Sequence, residues 1–284
     1  MNLHSPLAQI SGSDLRDAVI QAVPSLDIPW QKLAGGRVNL LWRANDLVIK
    51  QYQPCSASPL FPNDPQAEAN ALTYLQPFGA APKLVAQGQA WLVYQYCQGA
   101  AWHRGPDQAA KALAQLHKIP APQQMFRNAP NGSAQLLAQA KMMAALCASP
   151  LPPPPQDPGL APGPTCLIHG DAVPGNFIQH QGRITLIDWQ CPAIGDPAED
   201  IATFLSPAMQ WLYRGAPLTA QEIKDFRRAL PAQTLARYDQ LAAIYHWRMA
   251  AHCLWKSERN APDYQHALQL ELAALQGLAQ QNTR

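Results

Sequence analysis

HGDAVPGN at residues 169–176, IDW at 187–189 and GDPAED at 195–200 together decide the fold of this chain. Short apolar runs flank the first motif, so its Asp171 and Asn176 are predicted to lie on one loop between two short strands, and the aspartate of IDW to end the second strand. Such a loop can direct two carboxylates and an amide oxygen at one point. Mg²⁺ takes these ligands when substrate phosphates complete its shell. One acidic group is then left over to accept a proton from an attacking hydroxyl.

The composition excludes several classes of protein. The chain has 284 residues, of which 48% are hydrophobic and 14% charged, so intrinsic disorder is excluded as its main state. A net charge of +2 without a block of like charges gives no indication of a nucleic-acid partner. No apolar run approaches the ~18 residues that cross a membrane, and the start shows no secretory signal. The six cysteines are scattered without a CxxC pair, so we expect a cytoplasmic protein with reduced thiols and no membrane partner.

Hydrophobic periodicity divides the chain into a strand-rich part and a helical part. Residues 1–97 are predicted to form a small α+β half, and residues 98–284 a larger, mainly helical half. Eight of the fifteen residues at 150–164 are proline, which predicts a surface loop, with a partner-binding motif as the alternative. The individual predictions are helices at 13–23, 66–75, 107–119 and 133–148, hairpins turning at 44–46 and 87–89, and helices throughout from Pro197.

The three motifs resemble those of the aminoglycoside phosphotransferase and choline kinase superfamily, small-molecule relatives of the protein kinases. The matching pattern is HGDxxxxN, IDW and GDPxxDIA, in which Asn176 lies five residues and Asp188 seventeen residues after Asp171. The resemblance implies a two-lobed, protein-kinase-like α+β fold with a small strand-rich N-lobe and a larger mainly helical C-lobe. It also implies that Asp171 is the catalytic base, that Asn176 and Asp188 hold Mg²⁺, and that His169 supports the loop.

The first half contains residues that resemble the nucleotide-binding elements of this superfamily. Gly35, Gly36 and Asn39 resemble its phosphate-covering loop, although a glycine pair at a hairpin is also typical of an ordinary turn. The strand LVIK ends at Lys50 and resembles the kinase V-A-I-K strand. Glu68 follows eighteen residues later, on a predicted helix, where kinases place the partner of this lysine. The resemblance therefore implies a Lys50–Glu68 ion pair that holds the ammonium against the α- and β-phosphates.

The segment WLVYQYCQG at 91–99 resembles the strand and hinge that join the two lobes of a kinase. The backbone groups of Gln95 and Cys97 would then bind the adenine edge. The alternative is an ordinary strand that runs into a glycine turn. The change from strand-rich to helical sequence at this point favours the hinge.

The motif GDPAED has a local interpretation as a helix start. Asp196 at the N-cap, Pro197 at N1 and Glu199 at N3 predict a capping box. Asp196 and Asp200 match the two aspartates of GDPxxD, and we interpret both as structural support for the metal-binding loop rather than as ligands.

The acceptor is predicted to be a small molecule. Only seven residues separate Asp188 from Asp196 and no A-P-E follows, so a platform for protein substrates is missing. From residue 201 onward six acidic residues stand against nine basic ones, which argues against a polycationic aminoglycoside. A helical face with Tyr245, Arg248, His252 and Trp255 predicts an aromatic wall for an acceptor, with core packing as the alternative.

The sequence therefore predicts an ATP- and Mg²⁺-dependent phosphotransferase that acts on the hydroxyl of a small molecule, which we expect to be a sugar or an amino-alcohol. A choline-, ethanolamine- or thiamine-type kinase is the alternative within the class. A non-catalytic nucleotide-binding regulator with the same fold is the alternative outside it. We expect a monomer or a homodimer.

Overall fold

The chain divides into two units in a computed structural model that describes residues 11–34, 37–53, 57–122 and 124–281. The first unit runs up to Gly99 and also includes Thr185–Cys191. The second unit consists of Ala100–Ile184 and the chain from Pro192 onward. The segment that carries Asp188 therefore belongs with the strand-rich part of the chain.

An antiparallel sheet forms the centre of the first unit. Among the described residues its strands are β1 (Gln31–Lys32), β2 (Leu40–Ala44), β3 (Leu47–Gln51), β4 (Leu84–Gln87) and β5 (Trp91–Gln95), in the order β1-β2-β3-β5-β4. Each strand is antiparallel to its neighbours. Both predicted hairpins are confirmed, and Asn45 takes the left-handed conformation that the first turn requires, with φ 55°.

Two helices cover the two faces of this sheet. On one face α1 (Gly12–Ala22) packs Leu15 and Val19 against Ile49 of β3 in a shared apolar cluster. Because side chains alternate along a strand, Lys50 points to the opposite face. There α2 (Pro65–Leu75) packs against β4 and β5 and carries Glu68. Both predicted helices are thus confirmed, and the sheet is buried on both sides of its central strand.

The second unit is mainly helical. Its strands are short: β6 (Ala100–Ala101), β7 (Arg127–Asn128), β8 (Cys166–Ile168), β9 (Phe177–His180) and β11 (Ala193–Gly195), and β10 (Arg183–Leu186) spans the boundary with the first unit. Its helices are α3 (Pro106–Leu116), α4 (Ser133–Ala145), α5 (Ala198–Leu205), α6 (Pro207–Arg214), α7 (Ala220–Arg228), α8 (Ala232–Ser257) and α9 (Tyr264–Gln281). The long helix α8 packs against α4, α5 and α9, so half of its side chains are buried.

The region after the HGDAVPGN motif contains one strand more than predicted. The apolar run that follows Asn176 is divided into β9 and β10 by Gln181 and Gly182. Both residues have positive φ, 46° and 76°, as the two central residues of a tight type I′ turn require. The prediction was wrong here because the Gln-Gly turn signal was not recognised inside an otherwise continuous run.

A cluster of aromatic rings packs the strand after the motif against α5. Phe204 of α5 stacks on Phe226 with ring centroids 4.5 Å apart. Phe204 also makes edge-to-face contacts with the rings of Trp102 and Phe177, with centroids 5.0 and 5.2 Å apart. Because Phe177 directly follows Asn176, this core holds one end of the HGDAVPGN loop.

The proline-rich segment at 150–164 forms neither helix nor strand, which confirms the predicted loop. Side chains of the helical unit nevertheless hold it. Trp247 donates its indole N–H to the carbonyl of Pro152 at 2.9 Å. The amide of Asn131 bonds both backbone groups of Gly163, at 2.7 and 2.9 Å.

Two glycine-to-alanine substitutions test how the helical unit holds the proline-rich segment. Gly132 has φ 88° and ψ 156°, a conformation that essentially only glycine adopts, and a β-carbon there would lie 2.9 Å from the backbone nitrogen of Pro162. We therefore expect Gly132→Ala to lower the free energy of unfolding by about 1–3 kcal/mol. Gly277→Ala is the matched control, because its β-carbon meets nothing within 4 Å inside helix α9. It should raise stability by about 0.5–1 kcal/mol. Urea unfolding measures both changes, and equal effects of the two variants would contradict the account.

Candidate active site

The predicted ion pair between Lys50 and Glu68 is present in the first unit. The Lys50 Nζ donates to Glu68 Oε2 at 2.5 Å, and the two side chains are 2% and 1% exposed. Strand alternation directs the lysine to this face of the sheet, and the first turn of α2 supplies the carboxylate. The pair that the resemblance to kinases implied is thus a real contact between β3 and the helix that follows it.

Asp188 is a second acidic partner of the same lysine. Lys50 Nζ donates to Asp188 Oδ1, whose side chain is 34% exposed. Asp188 has φ 64°, a left-handed conformation that is rare for a residue with a side chain. Backbone strain of this kind is typical of functional sites. Lys50, Glu68 and Asp188 therefore form one cluster, which we call the lysine cluster.

Burial and charge act in opposite directions within the lysine cluster. Burial by itself lowers the pKa of Lys50, but the carboxylates of Asp188 and Glu68 more than offset it and raise that pKa above its ordinary value. Burial raises the pKa of Glu68, and the charge of Lys50 opposes this. Lys50 is therefore an ammonium at neutral pH, in a place where an unpaired charge would be strongly unfavourable.

Asn39 lies in a buried cluster of amide side chains. Its Nδ2 donates to Asn63 Oδ1 at 2.8 Å and to Gln190 Oε1 at 2.9 Å. Its Oδ1 accepts from Asn63 Nδ2 and from the amide of Gln53. These contacts connect the start of β2 to the segment that follows Asp188. The predicted neighbours of Asn39 in the phosphate-covering loop, Gly35 and Gly36, lie outside the described residues.

The predicted hinge residues lie at the end of β5 and just beyond it. The amide of Gln95 donates to the carbonyl of Lys83 at 2.9 Å, and the amide of Tyr96 to the carbonyl of Asp46 at 2.7 Å. Cys97 is half-buried, and its burial raises the pKa of its thiol to about 11. The thiol is therefore protonated at neutral pH, and the adenine contacts of Gln95 and Cys97 stay a prediction.

The second unit brings His169, Asp171 and Asn176 together on the loop between β8 and β9. Asn176 Nδ2 donates to the carbonyl of Asp171 at 2.9 Å and lies 3.4 Å from its Oδ2. The amide of Asp171 donates to His169 Nδ1 at 3.3 Å, and His169 is fully buried. The histidine thus supports the loop from inside. We call these three residues the loop cluster.

Asp200 fastens the loop cluster to helix α5. Its carboxylate is completely buried and accepts the amides of His169 and Gly170, each at 2.9 Å. It also lies 2.9 Å from His117 Nε2. Burial alone would raise the pKa of Asp200, but the hydrogen bond and charge of His117, together with His169, hold it below its ordinary value. The structural role proposed for Asp200 from the sequence is therefore observed.

His117 was missed by sequence reasoning. It follows the last residue of α3 and is separated from Asp200 by 83 positions. A histidine at the end of an amphipathic helix carries no local sign of a buried carboxylate partner. Only the packing of α3 beside α5 brings the two together.

The predicted capping box at GDPAED is wrong. The N-cap of α5 is Pro197, and Asp196, one residue earlier, accepts the amide of Ala198 on its Oδ1 at 3.0 Å. Glu199, however, directs its carboxylate to Arg248 of α8 instead of back to Asp196. Asp196 in turn bonds Arg237 of the same helix. Buried carboxylates take a cationic partner when a neighbouring helix offers one, because the unpaired charge is costly.

The aromatic face predicted on α8 is mostly core. Tyr245, Arg248 and His252 are 5%, 3% and 2% exposed, and burial, reinforced by nearby cations, lowers the pKa of His252 to about 3. Another aromatic residue lies beside the loop cluster. Tyr213 of α6 packs against Gly175, where a β-carbon would lie 2.8 Å from the ring. The packing alternative therefore describes this face of α8.

Asn176 and Asp188 each carry an oxygen donor of a kind that Mg²⁺ takes. Because Asn176 uses its nitrogen toward Asp171, its Oδ1 is left without a hydrogen bond to any residue that the structure describes. Asp188 offers a partly exposed carboxylate. Amide and carboxylate oxygens are the ligands that Mg²⁺ prefers.

No helix of the described chain has the length and apolar character needed to span a membrane.

The fold is that of the protein-kinase-like phosphotransferases. A choline/ethanolamine kinase family protein from Mesorhizobium loti matches with TM-score 0.62 and 19% identity, over 94% of each chain. A putative aminoglycoside phosphotransferase from Ralstonia eutropha matches with TM-score 0.65 and 14% identity, over 96% of this chain and 99% of that one. APH(2″)-IIa, in a ternary complex with streptomycin and ATP, matches with TM-score 0.62 and 12% identity, over 94% and 97%.

The sequence itself identifies the family. Residues 30–244 match the model of the phosphotransferase enzyme family, and the chain belongs to that family. No curated protein matches the chain. The superfamily that the three motifs indicated is thereby confirmed.

Asp200→Asn tests the support of the loop cluster. An asparagine keeps one acceptor oxygen but presents an NH₂ group where the second amide now donates, so we expect the free energy of unfolding at pH 7 to fall by about 2–4 kcal/mol. The pKa of Asp200 lies below its ordinary value of 3.8 in the folded protein, so its contribution is present above that pH and is lost as the pH falls through the lowered value.

The difference in unfolding free energy between wild type and Asp200→Asn should therefore shrink below about pH 4. Urea unfolding at a series of pH values measures it. Asp107→Asn is the control, because this aspartate forms an exposed pair with Lys111 and its loss should cost less than about 0.5 kcal/mol. A pH-independent difference for Asp200→Asn would show that its charge plays no part.

Proposed function

We propose that this protein is an ATP- and Mg²⁺-dependent phosphotransferase that phosphorylates the hydroxyl group of a small molecule. The observation that carries the proposal is a buried, charged lysine shared by two carboxylates, Glu68 and Asp188. A buried ammonium of this kind is suited to bind anionic phosphates at low cost, because its desolvation is already compensated. The family membership supports phosphoryl transfer as the reaction.

In this proposal the first unit binds the nucleotide. Lys50 contacts the α- and β-phosphates, and Glu68 keeps the ammonium in position. By resemblance, Gly35 and Gly36 cover the phosphates. The backbone of Gln95 and Cys97 binds the adenine edge.

The reactive hydroxyl is activated by the loop cluster. Asp171 accepts the hydroxyl proton on its carboxylate while the oxygen attacks the γ-phosphorus and the bond to ADP breaks. Asn176 holds the backbone carbonyl of Asp171, and His169 accepts its amide, so the carboxylate keeps its direction. Asp200 fixes the same loop through two further amides.

Asn176 and Asp188 are the proposed ligands of Mg²⁺. When bound, the ion supplies electrostatic stabilisation of the charge on the transferring phosphoryl group. Lys50 contributes a second positive charge from the protein itself. The same ammonium bonds Asp188 and so compensates the negative charge of that carboxylate.

The acceptor is proposed to be a small hydroxyl compound, a sugar or an amino-alcohol. Short spacing between Asp188 and Asp196 supports a small molecule. Choline, ethanolamine or thiamine is the second candidate, supported by the structural likeness to a choline/ethanolamine kinase family protein. Tyr213 offers an aromatic ring beside the loop cluster, against which a sugar face or an ammonium group can pack.

Asp171→Asn tests the proposed base. Because the amide cannot take the hydroxyl proton, phosphoryl transfer should fall by about 100- to 10,000-fold, while the Kd for ATP stays within about twofold of wild type. Steady-state kinetics and calorimetric ATP titration measure the two quantities. Asp225→Asn, at a half-buried residue of α7 that pairs with Arg228, is the matched control and should change neither. Retained turnover in Asp171→Asn would remove this residue from the role of base.

A panel of acceptors tests the function itself. Sugars, amino-alcohols, choline, ethanolamine, thiamine and an aminoglycoside are offered with ATP, with and without Mg²⁺. We expect transfer to one class of acceptor, strictly dependent on Mg²⁺, measured as phosphorylated product. A preference for choline, ethanolamine or thiamine would support the second candidate. Tight ATP binding without Mg²⁺ and without transfer to any acceptor would instead indicate the nucleotide-binding regulator.

A further inference from the structure

Tyr52 lies inside the lysine cluster, although no motif marks it. It lies two positions after Lys50 and directly follows the last residue of β3, so the alternation of the strand directs both side chains to the same side. Tyr52 is 1% exposed, and its hydroxyl donates to Glu68 Oε2. The Lys50 Nζ lies 4.9 Å from the centre of its ring. One side chain thus contacts both members of the ion pair, by a hydrogen bond and by a cation–π contact.

The buried carboxylate of Glu68 accepts few hydrogen bonds. Its Oε2 accepts from Lys50 and from Tyr52. Its Oε1 has no hydrogen-bond partner within the described part of the chain. The Tyr52 hydroxyl is therefore one of two donors that hold a carboxylate out of contact with water. Hydrogen bonds to a buried charged group are stronger than those between neutral groups, and their loss is correspondingly costly.

Glu68 also competes with Asp188 for the ammonium of Lys50. Asp188 is the more exposed of the two carboxylates, with 34% of its side chain accessible against 1% for Glu68. Without the Tyr52 hydroxyl, Glu68 would keep Lys50 as its one donor. The carboxylate would then be free to rotate or to take up a proton, and Lys50 would move toward Asp188.

We propose that Tyr52 is a positioning residue that anchors Glu68, so that Glu68 in turn keeps Lys50 in place for the phosphates of the nucleotide. This inference rests on the proposed nucleotide-binding function of Lys50. Tyr52 itself contacts the ion pair and not the reacting atoms. Its hydroxyl and its ring act on different members of the pair, so substitutions can separate them.

The test compares Tyr52→Phe, which keeps the ring, with Tyr74→Phe, a control on α2 whose ring is tilted against that of Phe78 with centroids 5.9 Å apart. Calorimetric titration with MgATP gives the Kd of each protein. We expect a roughly tenfold rise in the Kd of Tyr52→Phe and no change in Tyr74→Phe. Urea unfolding confirms that each variant is folded. If Tyr52→Phe is not folded, Tyr52→Met replaces it, since it also lacks the hydroxyl.

A double-mutant cycle with Glu68→Gln shows whether Tyr52 acts through Glu68. In the Glu68→Gln background the further effect of Tyr52→Phe on the Kd should fall to less than about twofold, because the carboxylate that the hydroxyl anchors is gone. An equal effect in both backgrounds would overturn the proposal and leave Tyr52 a structural residue. A Kd for MgATP in Tyr52→Phe equal to that of the wild type would also overturn the proposal.

Lys50→Met separates these outcomes from a failure of the proposed function. If Lys50→Met binds MgATP as tightly as wild type, the nucleotide role of the lysine cluster is wrong. If Lys50→Met weakens binding but Tyr52→Phe does not, the nucleotide role stands and the role of Tyr52 is wrong.

Discussion

A buried ammonium needs a compensating charge, and the first unit is organised around this constraint at Lys50. The lysine lies on the central strand of the sheet, on the face opposite the apolar cluster of α1. It is stable there because Glu68 reaches it from α2 and Asp188 from the returning segment at 185–191. Removing both carboxylates would leave the ammonium uncompensated in a nonpolar environment, which is among the most destabilising changes a protein can undergo.

The second unit applies the same principle to a carboxylate. Asp200 is completely buried beneath the loop cluster, where two backbone amides and His117 compensate its charge. Since the two amides belong to His169 and Gly170, part of this compensation comes from the loop between β8 and β9. The direction of Asp171 is therefore set by a buried electrostatic contact and not by the loop alone. Pairs of this kind recur along α5, where Asp196 and Glu199 bond arginines of α8.

Much of the fold and part of the site could be predicted from local patterns. Strand alternation, cap residues and turn residues indicated most elements. The resemblance to kinases implied the Lys50–Glu68 pair, which the structure contains. His117, Arg237 and Tyr52 were not found as partners of buried carboxylates. The first two lie 83 and 41 positions from theirs, and no local pattern records a contact at that distance. Tyr52 is close in sequence, but a tyrosine at a strand end is equally typical of ordinary packing.

The sequence alone determined the order of the motifs and membership of a phosphotransferase family. It also indicated the division into a strand-rich and a helical part, because hydrophobic periodicity is a local property of the chain. Only the tertiary structure decided which groups compensate the buried charges. Glu199 bonds Arg248 and does not return to the start of its own helix, and Tyr245 and His252 are buried. The physical reason is that the cost of burying a polar group depends on its surroundings in space. Residues far apart in the chain supply those surroundings.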